Sequence, residues 1–136
     1  MDRIFVDTNI FLRFLTSDDP GKARRAQALF ERALAGKVEL TTSLLVIAEI
    51  VWTLESYYKL QAADIAGMVG KILNTPHLAC PEAATIRKAL DSYATLNIDF
   101  IDAYHAHALE DEGVTRIATF DQKHFRRVDW LTMVDL

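Results

Sequence analysis

Asp7, Glu49, Asp102 and Asp121 are the residues of this 136-residue chain whose types and settings suit chemistry. Asp7 closes the apolar run "RIFVD", and Asp121 stands two residues beyond the run "TRIAT". In open parallel sheets, sites form beyond the carboxyl ends of the strands. Both acids are therefore expected on the same sheet edge. Asp102 falls in the first turn of a helix that begins near Asp99. Glu49 lies inside "SLLVIAEIVW", where its helical neighbours Leu45, Val46, Trp52 and Thr53 offer no countercharge. A carboxylate in apolar surroundings either keeps its proton or needs a cation. Four acids sharing one edge also repel one another. A divalent cation answers both problems, and hard ions such as Mg²⁺ and Mn²⁺ take carboxylate and water ligands.

Each acid also has a purely structural use. Asp7 can bond the N–H groups of the next helix, Asp121 can begin a turn, and Asp102 can complement a helix dipole. Asp99 sits at the N-cap or first position of its helix, and capping is the reading preferred for it. Taken singly, only Glu49 points to function; taken together, the shared edge points to a metal site. The "HAH" of His105 and His107 resembles a metal motif, but residues i and i+2 of a helix do not face each other. Both are read as surface histidines, His105 bordering the site one turn from Asp102. His77 and His124 carry no strong signal. HExxH, GxSxG, P-loop and CxxC motifs are absent, which removes zincins, nucleophile-elbow hydrolases, Walker ATPases and thioredoxin-type redox enzymes.

The elements that must position these acids alternate. "RIFVD" reads as a buried strand, followed by a short helix "TNIFLRFLT" that is apolar on most sides. The next helix has Asp18 or Asp19 as N-cap, Pro20 just inside and Gly36 just past its end. "VELTT" is a strand, and Thr42 or Ser43 caps the helix that carries Glu49 to about Tyr58. A helix over 61–74, a short strand "HLAC", a helix "PEAATIRKALDSYATL" and a helix ending at Gly113 follow. "TRIAT" is a strand, "FDQKHF" a loop or short helix, and "WLTMVDL" a last strand. Strands alternating with helices predict an α/β fold with a mostly parallel sheet.

Composition sets the outer bounds. The length suits one domain, 1–136, with a sizeable core, and no repeat or linker breaks it. Cys80 is the only cysteine, so no disulfide forms within the chain, in keeping with a reducing cytosol. "MDRIFVD" is not a signal peptide, and no stretch approaches the ~20 apolar residues of a membrane span. The net charge of −4 argues mildly against nucleic-acid binding. Two basic groups, Lys22–Arg25 with Arg32 and Lys123–Arg127, read on charge alone as solvated helix faces.

"FVDTNIFLRFL", "SLLVIAEIVW", "DFIDAYHAHAL" and "IATFDQKHF" together resemble the motifs of PIN-domain ribonucleases, and the short chain resembles the VapC-type toxins of toxin–antitoxin pairs. The resemblance covers essentially the whole chain. It implies a three-layer α/β/α fold with a central, mostly parallel sheet. It implies Mg²⁺ or Mn²⁺ held chiefly by Asp7 and Asp102, with Glu49 and Asp121 completing the cluster. Thr8 and Asn9 match the polar residues after the first acid, and Thr119 the polar residue before the last; Asp99 occurs in many relatives outside the core motif. The activity implied is endoribonucleolytic, with a water activated by the ion attacking phosphorus in line and leaving a 5′-phosphate and a 3′-hydroxyl. An antitoxin seated in an apolar groove and a homodimer are implied as partners, in the cytoplasm. Part of the apolar set on "TNIFLRFLT" and "WTLESYY" is expected to line that groove. The rival readings are a non-catalytic RNA- or protein-binding module of the same fold, and a receiver-like phosphoacceptor. The receiver fits poorly, because no acidic pair precedes the first strand end.

Overall fold

Most helices begin where a side chain can satisfy free N–H groups, as the sequence pattern requires. The computed structural model describes every residue, Met1–Leu136, and the chain divides into two compact units, Met1–Ala83 and Ala84–Leu136.

In the first unit, β1 (Asp2–Phe5) leads into α1 (Thr8–Thr16), α2 (Pro20–Leu34), β2 (Val38–Thr41), α3 (Leu44–Ser56), α4 (Ala62–Leu73) and β3 (Leu78–Ala79). Asp19 caps α2 by accepting from the Lys22 N–H at 3.1 Å, with Pro20 at its start. Ser43 caps α3 by accepting from Val46 N–H at 3.3 Å. Of the alternatives open in the sequence, these are the residues that cap. Gly36 follows α2 with φ +73, a left-handed conformation that costs glycine little.

The strands pair in parallel in the order β1-β2-β3, with Asp2 opposite Val38 and Leu40 opposite Leu78. Two helices cross between each pair, because parallel neighbours need a long connection. Val38 and Leu40 point into the core while Glu39 points out, the period-2 alternation of a strand. Ile47, Ile50 and Leu54 of α3 and Ile65 and Val69 of α4 complete that core. The buried Thr42 hydroxyl donates to the Val6 carbonyl at 3.0 Å and ties the end of β1 to the entry of α3.

One expectation about this unit fails. β1 is largely exposed, with Phe5 55% accessible; Val6, just past the strand, is buried. Within the three-stranded sheet β1 is an edge strand, paired with β2 alone.

The second unit holds all but the first residue of α5 (Ala83–Leu96), with α6 (Phe100–Glu112), β4 (Arg116–Ile117), α7 (Gln122–Phe125) and β5 (Thr132–Met133). β4 and β5 pair in parallel, Arg116 opposite Thr132. Gly113 ends α6 at φ 75, and its N–H closes the last turn on Leu109 and Glu110. Ile86, Leu90, Tyr93, Phe100, Phe125 and Val128 are buried here. The α/β class with parallel strands holds throughout, expressed as a three-stranded and a two-stranded sheet.

Candidate metal centre

A single imidazole sits among three of the acids. His124 on α7 places Nδ1 3.1 Å from Asp121 Oδ2, 3.3 Å from Asp102 Oδ2 and 4.0 Å from Asp99 Oδ2. Asp99, Asp102 and His124 each offer a ligand atom within 4.8 Å of the others. Local structure explains the convergence. Asp99 holds the N-cap position of α6, so Asp102 lies one turn on, half-buried and on the same side. Asp121 follows β4 and caps α7, accepting from the His124 N–H at 3.4 Å. Thr119 Oγ1 in turn accepts from the Asp121 N–H at 3.0 Å, fixing the turn that aims this acid.

Asp99 corrects an expectation. It occupies the N-cap position of α6, but its side chain makes no cap hydrogen bond. The exposed carboxylate turns towards His124 instead. His124 carried no strong signal in the sequence, yet it is the residue on which the acids meet. The pattern that could have found it is a histidine three residues after an acid opening a helix, as in "DQKH".

The other histidines divide differently from expectation. His105 is exposed and stacks edge-on to Tyr104, outside the cluster. His107 is buried, contrary to a surface reading. Its Nε2 lies 2.7 Å from Ser92 Oγ, and its ring packs against Trp130 at 4.8 Å. The i, i+2 argument rightly separates the two rings, but α6 turns one of them into the core.

Asp7 and Glu49 belong to the first unit. Asp7 caps α1, accepting from the Thr8 N–H at 2.8 Å, so its strand-end structural use is real. Thr8 is buried and Asn9 exposed beside it. Glu49 overturns the premise of a buried acid: it is exposed on α3. It lies in a stripe with Leu45, 80% accessible, and Trp52, 66% accessible, while Val46, Ile47, Ile50 and Val51 take the core. An apolar run thus hid one outward face of a helix.

The chemistry available in the second unit is that of hard oxygen donors supplemented by one nitrogen. Carboxylates on two helix starts, brought within reach of one another, suit a small divalent cation.

Known proteins resemble this chain along most of its length. The model of the PIN domain family matches residues 4–131. The chain is 26% identical to a protein named "VapC ribonuclease" from Aquifex aeolicus over 128 residues, covering 94% of this chain and 93% of that protein. It also aligns over 98% of both chains, at 16% identity and TM-score 0.38, with the "Crystal structure of VapBC2 from Rickettsia felis bound to a DNA fragment from their promoter", a likeness too loose to bear on function.

Proposed function

Because this chain belongs to the PIN domain family, we propose that it is a divalent-metal-dependent endoribonuclease and the toxin of a toxin–antitoxin pair. The observation that carries the reading is the gathering of Asp99, Asp102 and Asp121 on His124 at the carboxyl end of β4. The curated relative, named a ribonuclease, supports the choice of RNA as substrate. By the family resemblance Asp7 and Asp102 would be the principal ligands of Mg²⁺ or Mn²⁺, with Glu49 and Asp121 completing the set. Asp99 and His124, each with a ligand atom within 4.8 Å of Asp102, could contribute to holding the ion. When bound, the ion polarises the scissile phosphate and lowers the pKa of an attacking water.

The chain's own residues supply the geometry. Thr119 holds the turn at Asp121. The bond from Thr8 N–H to Asp7 Oδ1 fixes that carboxylate and leaves its second oxygen for a ligand. Asn9 stands beside it for contact with RNA.

An apolar groove in the first unit supports a protein partner. It measures about 310 Å³ and is lined by Phe11, Phe14, Phe30, Leu34, Ile72 and Pro76 from α1, α2, α4 and the turn after α4. An amphipathic helix suits such a groove, and under the toxin reading its owner is the antitoxin. A homodimer in the cytoplasm completes the proposal. No helix is long and apolar enough to cross a membrane.

Incubating the purified chain with RNA tests the reading. Loss of intact RNA with Mn²⁺, and not with chelator, is expected. RNA bound but never cut would identify a binding module instead, and phosphate retained on an aspartate would identify a phosphoacceptor.

A further inference from the structure

Arg13, Lys22 and Arg25 meet in an open cleft of about 360 Å³ between α1 and α2, floored by Ala26 and Leu29 and edged by Asn9. No acid lines this cleft, although the chain carries a net charge of −4. Asn9 and Arg13 also line a neighbouring hollow that Tyr57 and Tyr58 close, so the two share a wall.

The single acid of that second hollow is already engaged. Asp18 accepts from Arg13 at 3.1 Å, from Thr16 at 3.0 Å and from the Tyr58 hydroxyl at 2.7 Å. These bonds hold Arg13 and the Tyr58 ring in place. Tyr58 in turn packs edge-on against Tyr57 at 4.9 Å, and Tyr57 is left 74% exposed. A cationic cleft thus runs into an exposed ring braced by a second ring.

We propose that this face binds the backbone of a single-stranded RNA, its phosphates against Lys22, Arg25 and Arg13 and a base stacked on Tyr57. The identity of the polymer rests on the nuclease reading above; the path of the strand is what the cleft adds. Lys22 and Arg25 are one helical turn apart on α2, so two long side chains can meet successive phosphates. Exposed aromatic rings beside a positive groove are how single strands are held without sequence preference, because every base has a π-face. An acidic peptide would satisfy the cations and leave the face of Tyr57 unused.

The test is fluorescence anisotropy of a labelled single-stranded oligoribonucleotide of roughly 12 nucleotides in EDTA, read against salt. Each phosphate of a single strand that a side chain neutralises steepens the fall of log affinity with log salt by about 0.7. Lys22→Ala with Arg25→Ala should therefore flatten the slope by about 1.4, and its deficit against wild type should shrink roughly sevenfold between about 50 and about 200 mM salt. Arg3→Ala with Arg32→Ala changes the net charge equally and should keep the wild-type slope. Tyr57→Ala should weaken binding about fivefold or more at an unchanged slope, with Tyr57→Phe close to wild type. Matching melting temperatures confirm that all variants are folded.

A wild-type slope in the cleft variant, equal flattening in the charge control, or no RNA binding by wild type would overturn the proposal. So would tighter binding of polyglutamate than of RNA. Failure of the nuclease reading shows separately, as RNA bound but uncut in Mn²⁺.

Discussion

Mn²⁺ should stabilise this chain if the acids around His124 bind it. Asp99, Asp102 and Asp121 bring three carboxylates to within 4.0 Å of one ring nitrogen. A dication held by these carboxylates would relieve their repulsion and would favour the folded chain, where they are gathered. At free metal about 100 times its dissociation constant, linkage makes the gain roughly 2.7 kcal/mol. Unfolding entropy of about 2.1 cal/mol/K per residue, over the 136 residues, converts this to a rise of roughly 9 °C. Thermal melts followed by circular dichroism, in EDTA and in a Mn²⁺ series, read it directly. Asp102→Asn should lose most of the rise. Asp135→Asn, near the carboxyl terminus, should keep it, which controls for general attraction of the cation to an acidic chain. Equal melting temperatures at the highest Mn²⁺, or a full rise in Asp102→Asn, would rule out a metal site around His124.

Two further substitutions probe the scaffold. Phe11 is fully buried and stacks on Phe30 at 5.6 Å, so Phe11→Ala should cost about 3–5 kcal/mol in urea denaturation; a loss under about 1 kcal/mol contradicts that packing. The Tyr58 hydroxyl, ahead of Thr16 and Arg13, holds the Asp18 carboxyl below its usual value of 3.8, and Asp18 in return raises the Tyr58 phenol. A lowered carboxylate stabilises above its unfolded pKa and loses that effect as pH falls through the folded value. The stability gap between wild type and Tyr58→Phe should therefore be present at neutral pH and close below about pH 4, and a gap that widens in acid would contradict the assignment.

The helices were legible because their ends carry local chemistry. Asp19 before Pro20, Ser43 before an apolar run and Gly113 after "EDE" each act within one turn of themselves. The strands were harder. β3, β4 and β5 are two residues each, too short for any period to show, and were readable mainly from where they fall between helices.

Burial was the least legible property, because it depends on which neighbours a face meets. Glu49 sits in an apolar run but on the one stripe of α3 that faces outward. "RIFVD" is apolar yet forms an edge strand. His107 reads as a surface residue until Ser92 of α5 and Trp130 are brought against it. Asp102 and Asp121 were legible because one opens a helix and the other follows a strand, whereas Asp99 read as a helix cap. His124 was not, because its role depends on the turn that Thr119 and Asp121 build before it.

The proposed metal-dependent nuclease must fail when it loses the chelatable ion or an acid that the family resemblance makes a ligand. Cleavage of an end-labelled RNA by wild type, Asp7→Asn and Asp102→Asn, each with Mn²⁺ and with chelator, puts this to the test once the product ends are identified. Cutting is expected only by wild type and only with Mn²⁺, leaving 5′-phosphate and 3′-hydroxyl ends. Cleavage that continues in chelator would contradict metal dependence, and cleavage that survives unchanged in either variant would remove that acid from the proposed site.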